Sequence, residues 1–206
     1  ALLCRPRSGA ITATLRWRHY ADPKMAPYWW PLTQISDNAM SGVHGAIMTN
    51  MAAGSNNLQA NVASIIMSPN GQGVVAPSTA VRQTAGGAAQ DDENVKSAEI
   101  SGHAFSGTTG IMAINQASGA NNAESNQLGI VLGATQQVAN NVLASNLSGL
   151  TATNASKTTK EEVSSVAVAN TAFKGAGGIA QVNQVSGSGN ASANSFALGV
   201  APGVIQ

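Results

Sequence analysis

One pattern occurs three times in this chain and aligns without a gap. The copies are AMSGVHGAIMTNMAAGSNNLQANVASI from Ala39, AFSGTTGIMAINQASGANNAESNQLGI from Ala104, and AFKGAGGIAQVNQVSGSGNASANSFAL from Ala172. After the shared Ala, six positions are identical in every copy: Gly42/Gly107/Gly175, Gly45/Gly110/Gly178, Asn50/Asn115/Asn183, Gly54/Gly119/Gly187, Asn57/Asn122/Asn190 and Asn61/Asn126/Asn194. A unit of this size cannot bury a core alone. Repeats of this kind bury one by stacking on their neighbours, so like positions should lie above like.

The composition agrees with stacked strands and disagrees with an ordinary globular domain. Charged residues are 9% and aromatic residues 4% of the 206, against about 25% charged in typical domains. Few large anchors are available for a conventional core. Disordered chains tend to be strongly charged, whereas this one is polar and almost uncharged. Small residues, Asn and β-branched residues suit closely stacked strands. A formal net charge of +1 gives no electrostatic footprint for nucleic acid. No apolar run is long enough for a transmembrane helix.

The repeats divide the chain. Ile35, Ile100 and Val168 each stand four residues before the shared Ala, which extends the units to 35–68, 99–133 and 167–201. Linkers at 69–98 and 134–166 separate them, and 202–206 is a tail. The first linker carries Pro69, Pro77 and the acidic run Asp91, Asp92, Glu93; the second is rich in Ser, Thr and Asn. Both read as loops. A helix over QQVANNVLASNL is conceivable from Val138, Val142 and Leu143, but its Asn content opposes it. Segment 1–34 differs in kind. It holds Trp17, Tyr20, Tyr28, Trp29 and Trp30, which are all of the Trp and Tyr, together with Arg5, Arg7, Arg16, Arg18 and Lys24. ITATLRWRHY alternates as a half-buried strand does. Pro23, Pro27 and Pro31 are then expected to break regular structure. The segment reads either as a capping or attachment strand or as an unstructured tail.

Within one repeat the pattern is strand, turn, strand, with a further short arm before the first Gly. In the second copy IMAINQ and AESNQLGIVL are strands, and ASGANN is the turn. Period-two alternation sets Ile111, Ala113 and Asn115 on one face, with Met112, Ile114 and Gln116 on the other. Asn126 then shares a face with Leu128 and Ile130. A lone amide buried there would be costly. Identical amides one rung above and below would convert it to a hydrogen-bonded ladder, each bond netting roughly 0.5–1.5 kcal/mol. The rival reading places these residues in turns, where Asn tolerates left-handed backbone; it suits Asn57, Asn122 and Asn190 best. The glycines read as turn residues. Three rungs spaced about 4.8 Å would make a layer stack about 14 Å tall. Its end edges would be open to another subunit, and head-to-tail addition that does not close makes a filament.

The GxxGxxxxNxxxGxxNxxxN pattern, present three times with variable linkers, resembles the repeats of Fap-type bacterial functional amyloid subunits. It is more loosely similar to curlin repeats. The chain differs from the pattern in having no Cys-x-x-Cys near its C-terminus and in its Trp-rich start. The resemblance implies an extracellular, cell-surface fibril subunit that crosses the outer membrane unfolded through a dedicated pore. It would polymerise with itself, with a nucleator subunit as a further partner, and support biofilm matrix or surface adhesion. The alternative is a monomeric β-solenoid adhesin whose Trp-rich segment is the contact surface.

No constellation for catalysis, cofactor or metal binding is legible. His19, His44 and His103 do not fall on equivalent repeat positions and read as solvent-facing. Cys4 has no evident partner base and reads as an unpaired thiol. The Leu before it fits a lipoprotein cleavage site poorly, and the expectation is an export signal already removed. Asp91, Asp92 and Glu93 lack calcium-ligand spacing. Neither NGQG nor GAGG is followed by the Lys-Ser/Thr of a phosphate loop.

Overall fold

The computed structural model describes residues 9–18, 28–67, 81–85, 95–132, 150–152 and 163–200, which form strands joined by turns, bends and short irregular links. The proposed helix at 136–147 lies outside these residues, as do Cys4, His19 and Asp91–Glu93. Each repeat makes one rung of three strands. Rung 1 is β2 (Tyr28–Asp37), β3 (His44–Ala53) and β4 (Leu58–Met67). Rung 2 is β6 (Val95–Ile100), β7 (Thr109–Ser118) and β8 (Ala123–Leu132). Rung 3 is β10 (Val163–Val168), β11 (Gly177–Ser186) and β12 (Ala191–Val200). Stacking the rungs produces three parallel sheets: β2-β6-β10, β3-β7-β11 and β4-β8-β12. The short β5 (Gln83–Ala85) and β9 (Leu150–Ala152) pair parallel with each other. An N-terminal strand, β1 (Gly9–Arg18), extends the first sheet on its rung 1 edge. The fold is all-β and built of stacked repeat layers.

Register follows the sequence alignment. Gly45, Gly110 and Gly178 are Cα partners, as are Asn50, Asn115 and Asn183. Asn61, Asn126 and Asn194 pair in the third sheet. The middle sheet is covered on both sides. Its even-numbered rung 2 residues Met112 and Ile114 join Ile35, Ile100, Ala104 and Phe105 in the apolar core. Its odd-numbered residues face the third sheet, where Asn115 meets Asn61 and Asn126. Rung 2 has a neighbour on either side, so Ile114, Asn115, Asn126 and Leu128 are fully buried.

The arcs joining first and second strands also stack. The Gly42 amide donates to the Ser106 carbonyl at 2.8 Å, and the Gly107 amide to Lys174 at 2.9 Å. Phe105 lies parallel to Phe173 with centroids 5.1 Å apart, a contact that contributes about 0.5–1.5 kcal/mol beyond burial.

Two sequence expectations need correction. Pro31 does not break the chain; it sits inside β2. Parallel pairing of β2 with β6 begins at Leu32, so no ladder bond to β6 is asked of the missing Pro31 N–H. The rung 1 end is also not wholly open, because β1 pairs along β2. The unit boundaries at 35, 99 and 167 fall within β2, β6 and β10. These first-arm strands share no repeated Gly or Asn, so identity between copies does not show where they begin.

Glycine is required where backbones stack without room for a side chain. Gly119 has φ +121, and a Cβ there would stand 2.1 Å from the Gly187 oxygen. Gly107 has φ +64 with open space around it. Alanine at 107 should therefore cost only the left-handed backbone penalty, about 1–2 kcal/mol. Gly119→Ala must also separate two rungs, and should cost over about 3 kcal/mol. Urea denaturation of both variants measures this; equal midpoints would contradict the close turn stack.

Candidate functional site

The nine shared asparagines stand in three columns. In the middle sheet, the Asn115 amide nitrogen donates to Asn50 Oδ1 and that of Asn183 to Asn115 Oδ1, both at 3.0 Å. In the third sheet, Asn126 donates to Asn61 at 2.9 Å and Asn194 to Asn126 at 3.0 Å. The first two columns face each other and are cross-linked: Asn61 to Asn50 at 2.8 Å, Asn126 to Asn115 at 2.9 Å, and Asn183 to Asn126 at 3.1 Å. They also engage backbone across the gap, Asn126 at the Ile114 carbonyl and Asn115 at the Ala60 carbonyl. The two strands that hold them are thereby joined amide by amide, and at Asn115, Asn126 and Asn183 the amides are buried, where an unpaired amide is heavily penalised.

The third column lies in the turn before the third strand. Asn122 donates to Asn57 Oδ1 and Asn190 to Asn122 Oδ1, each at 3.0 Å. The backbone amides of Asn122 and Asn190 add bonds to the same oxygens. Asn122 Nδ2 also reaches the Gly187 carbonyl of the next rung at 2.9 Å. These residues are thus at once turn residues and a column. All three columns have the same polarity, with the amide of each higher rung donating to the oxygen of the rung below.

The conserved-in-repeat glycines take two kinds of place. Gly42, Gly107 and Gly175 sit in the arcs; Gly45, Gly110 and Gly178 open the middle strands, and Gly54, Gly119 and Gly187 open the turns. All nine have positive φ. His44 begins β3 and bonds Thr109 above it, while His103 is exposed in an arc. Among the described residues no three His, Cys, Asp or Glu groups gather as a metal site.

Sequence reasoning missed two buried polar features. One is a glutamine column: Gln184 Nε2 donates to Gln116 Oε1 at 2.8 Å, and Gln116 Nε2 to the Glu99 carbonyl at 2.9 Å. This ties the middle sheet to the first. The signal was Gln after Asn in two of three copies. The other is Glu124, fully buried in rung 2 between Gln59 below and Ser192 above. Gln59 Nε2 donates to its Oε2 at 2.7 Å, and Oε1 has no partner. Burial raises the Glu124 pKa to about 8, with the Gln59 bond opposing. The equivalent positions hold Gln and Ser, so no repetition marked it.

The sign of the pH effect follows. Below the ordinary carboxyl range, folded and unfolded chains are both protonated at this site and nothing is lost. As pH rises toward 8 the unfolded chain ionises first, so stability falls; above about 8 the folded carboxyl ionises too and the loss levels off. The folded chain should be more stable at pH 5 than at pH 8, and Glu124→Gln should remove most of that difference. Denaturation midpoints against pH measure it; a wild-type slope retained in the variant would contradict the assignment.

A second expectation concerns the columns. Asn115→Ala leaves Asn50, Asn61, Asn126 and Asn183 short of partners, whereas Asn38 is exposed in an arc. The first change should destabilise by roughly 2–4 kcal/mol and the second by under about 0.5. Comparable losses would remove the column argument.

Compared with known families, residues 20–201 match the model of the functional amyloid protein FapB/FapC family. No solved structure matches the chain.

Proposed function

The chain belongs to the functional amyloid protein FapB/FapC family, and on that premise we propose that it is a self-polymerising subunit of an extracellular fibril. The single observation that carries this is the pair of incomplete end rungs. At rung 3, Val163, Val166 and Val168 of the first sheet and Phe196 and Leu198 of the third are exposed. At rung 1, Met48, Ile65 and Met67 are exposed, the last by 74%. Exposed apolar strand edges of this kind invite pairing.

The two ends complement each other. Continuing each column past rung 3 sets Ala63 of the next copy over Phe196, and its Met48 over Gln181. Between β11 and β12 a groove of about 360 Å³, lined in part by Ile179, Gln181, Asn194 and Phe196, opens on that side; Met48 supplies volume for it. Amide polarity agrees, because rung 3 offers Asn oxygens and rung 1 an Asn50 nitrogen. Reversing one copy would oppose oxygen to oxygen and convert parallel pairs to antiparallel ones. The joint is therefore head to tail, and it does not close.

In this reading the three Asn columns hold register, the nine glycines permit the turns and close stacking, and 35–68, 99–133 and 167–201 carry the stacked repeats, each completed by the N-terminal part of its first strand. Export unfolded through an outer-membrane pore, help from a nucleator subunit, and support of biofilm matrix or surface attachment belong to the same proposal. A monomeric β-solenoid adhesin is the second reading, favoured by β1 closing part of one end.

Purified chain should form filaments without cofactor, visible by electron microscopy, with a meridional reflection near 4.7–4.8 Å. A stable monomer in sedimentation, with no filaments, would favour the adhesin.

A further inference from the structure

The two ends of the stack differ in one respect that bears on how a second copy joins. Thr33 and Ile35 lie on an end rung, yet both are fully buried. Their counterparts on the other end rung, Val166 and Val168, are 51% and 50% exposed. The difference is β1, which pairs antiparallel with β2 from Gly9↔Asp37 to Arg18↔Tyr28. Hydrogen-bonded strands lie about 4.7–4.9 Å apart whichever way they run. β1 therefore occupies the level that rung 3 of a neighbouring copy would take.

We propose that β1 is an intramolecular stand-in for the incoming β10, and that a second copy completes the rung 1 joint only by displacing it. This rests on the filament reading above and adds a mechanism to it. The incoming strand is six residues long and would lie opposite Trp30–Ile35, as β6 register places it. All six of those positions are already paired to β1. Among the described residues no strand pairs with the rung 1 edge of β3 or β4, and Met48 and Ile65 are exposed. Seating the middle and third sheets of a neighbour in register thus brings β10 against β1. The two cannot share one edge.

Competition favours the resident strand in the isolated chain. It pairs over ten residues, it is antiparallel, which is the slightly stronger ladder, and it is tethered, so its effective concentration is high. Displacement becomes favourable when the other two sheets of the joint form with it. Growth should accordingly be slow to start, and the rung 1 end should be the gated one.

A reversible lock in the full-length chain tests this. Thr12 stands directly opposite Gln34, and antiparallel partners have Cα atoms about 4.5–5.5 Å apart, within disulfide range. The variant is Thr12→Cys with Gln34→Cys, in a Cys4→Ser background. Oxidised, it should fail to elongate and should terminate growth when added to parent seeds; reduction should restore the parental rate. In a second variant, Ala13→Pro weakens β1 pairing and should shorten the lag severalfold. Oxidised and reduced protein elongating alike, or Ala13→Pro leaving the lag unchanged, would overturn the gate while leaving the polymer intact. Failure of the parent chain and of both variants to form filaments would overturn the polymer reading and the gate with it.

Discussion

Everything in this structure depends on a buried amide needing a copy of itself directly above and below. Asn115 and Asn126 are fully buried where the middle and third sheets face each other, with Leu128 buried two residues along the same strand as Asn126. Isolated there, each would carry the full desolvation penalty of an unpaired amide. Stacked in register, each donates to the rung below, accepts from the rung above, and bonds across to the facing column. A slip of one residue would place these amides on the opposite faces of their strands, away from every partner. Apolar contacts between the sheets contribute attraction but little discrimination; the amides supply the discrimination.

That constraint explains the composition. Parallel in-register stacking places each side chain near its equivalents, and like charges in a column would repel. Gln, Asn, Ser, Gly and apolar residues carry no such cost. The exceptions are instructive. Glu124 stands between Gln59 and Ser192, never beside another carboxylate, and burial holds it neutral through much of the physiological range. Lys96 is buried in rung 2 beside the turn stack, its ammonium donating to Ser188 Oγ at 3.1 Å. Among the described residues both buried ionisable side chains, Lys96 and Glu124, lie on the middle rung, where neither end surface meets them.

The register of the second and third strands was legible in the sequence because Gly45, Asn50, Gly54, Asn57 and Asn61 recur at fixed steps. Backbone geometry and amide pairing both demand those residue types, so the demand repeats with each rung. The first-arm strands were less legible: LTQI, SAEI and SVAV share apolar alternation and little else, since apolar columns tolerate exchange of Ile for Val or Thr for Ala. β1 was visible as an alternating strand, but its partner was not, because antiparallel pairing with β2 leaves no repeated residue to align. Pro31 read as a breaker since the start of β2–β6 pairing at Leu32 is a tertiary fact. The burial of Glu124 was hidden for the same reason, its position being defined by strands distant in sequence.

The central claim is that one chain contributes three successive rungs along a fibril axis, instead of lying flat in a single layer. Helical rise measured by cryo-electron microscopy of the filaments tests it most directly. Three rungs per subunit predict a rise of about 14 Å per chain, with the 4.7–4.8 Å strand spacing nested within it. A rise of about 4.8 Å per chain would put all three repeats in one plane and contradict the stack.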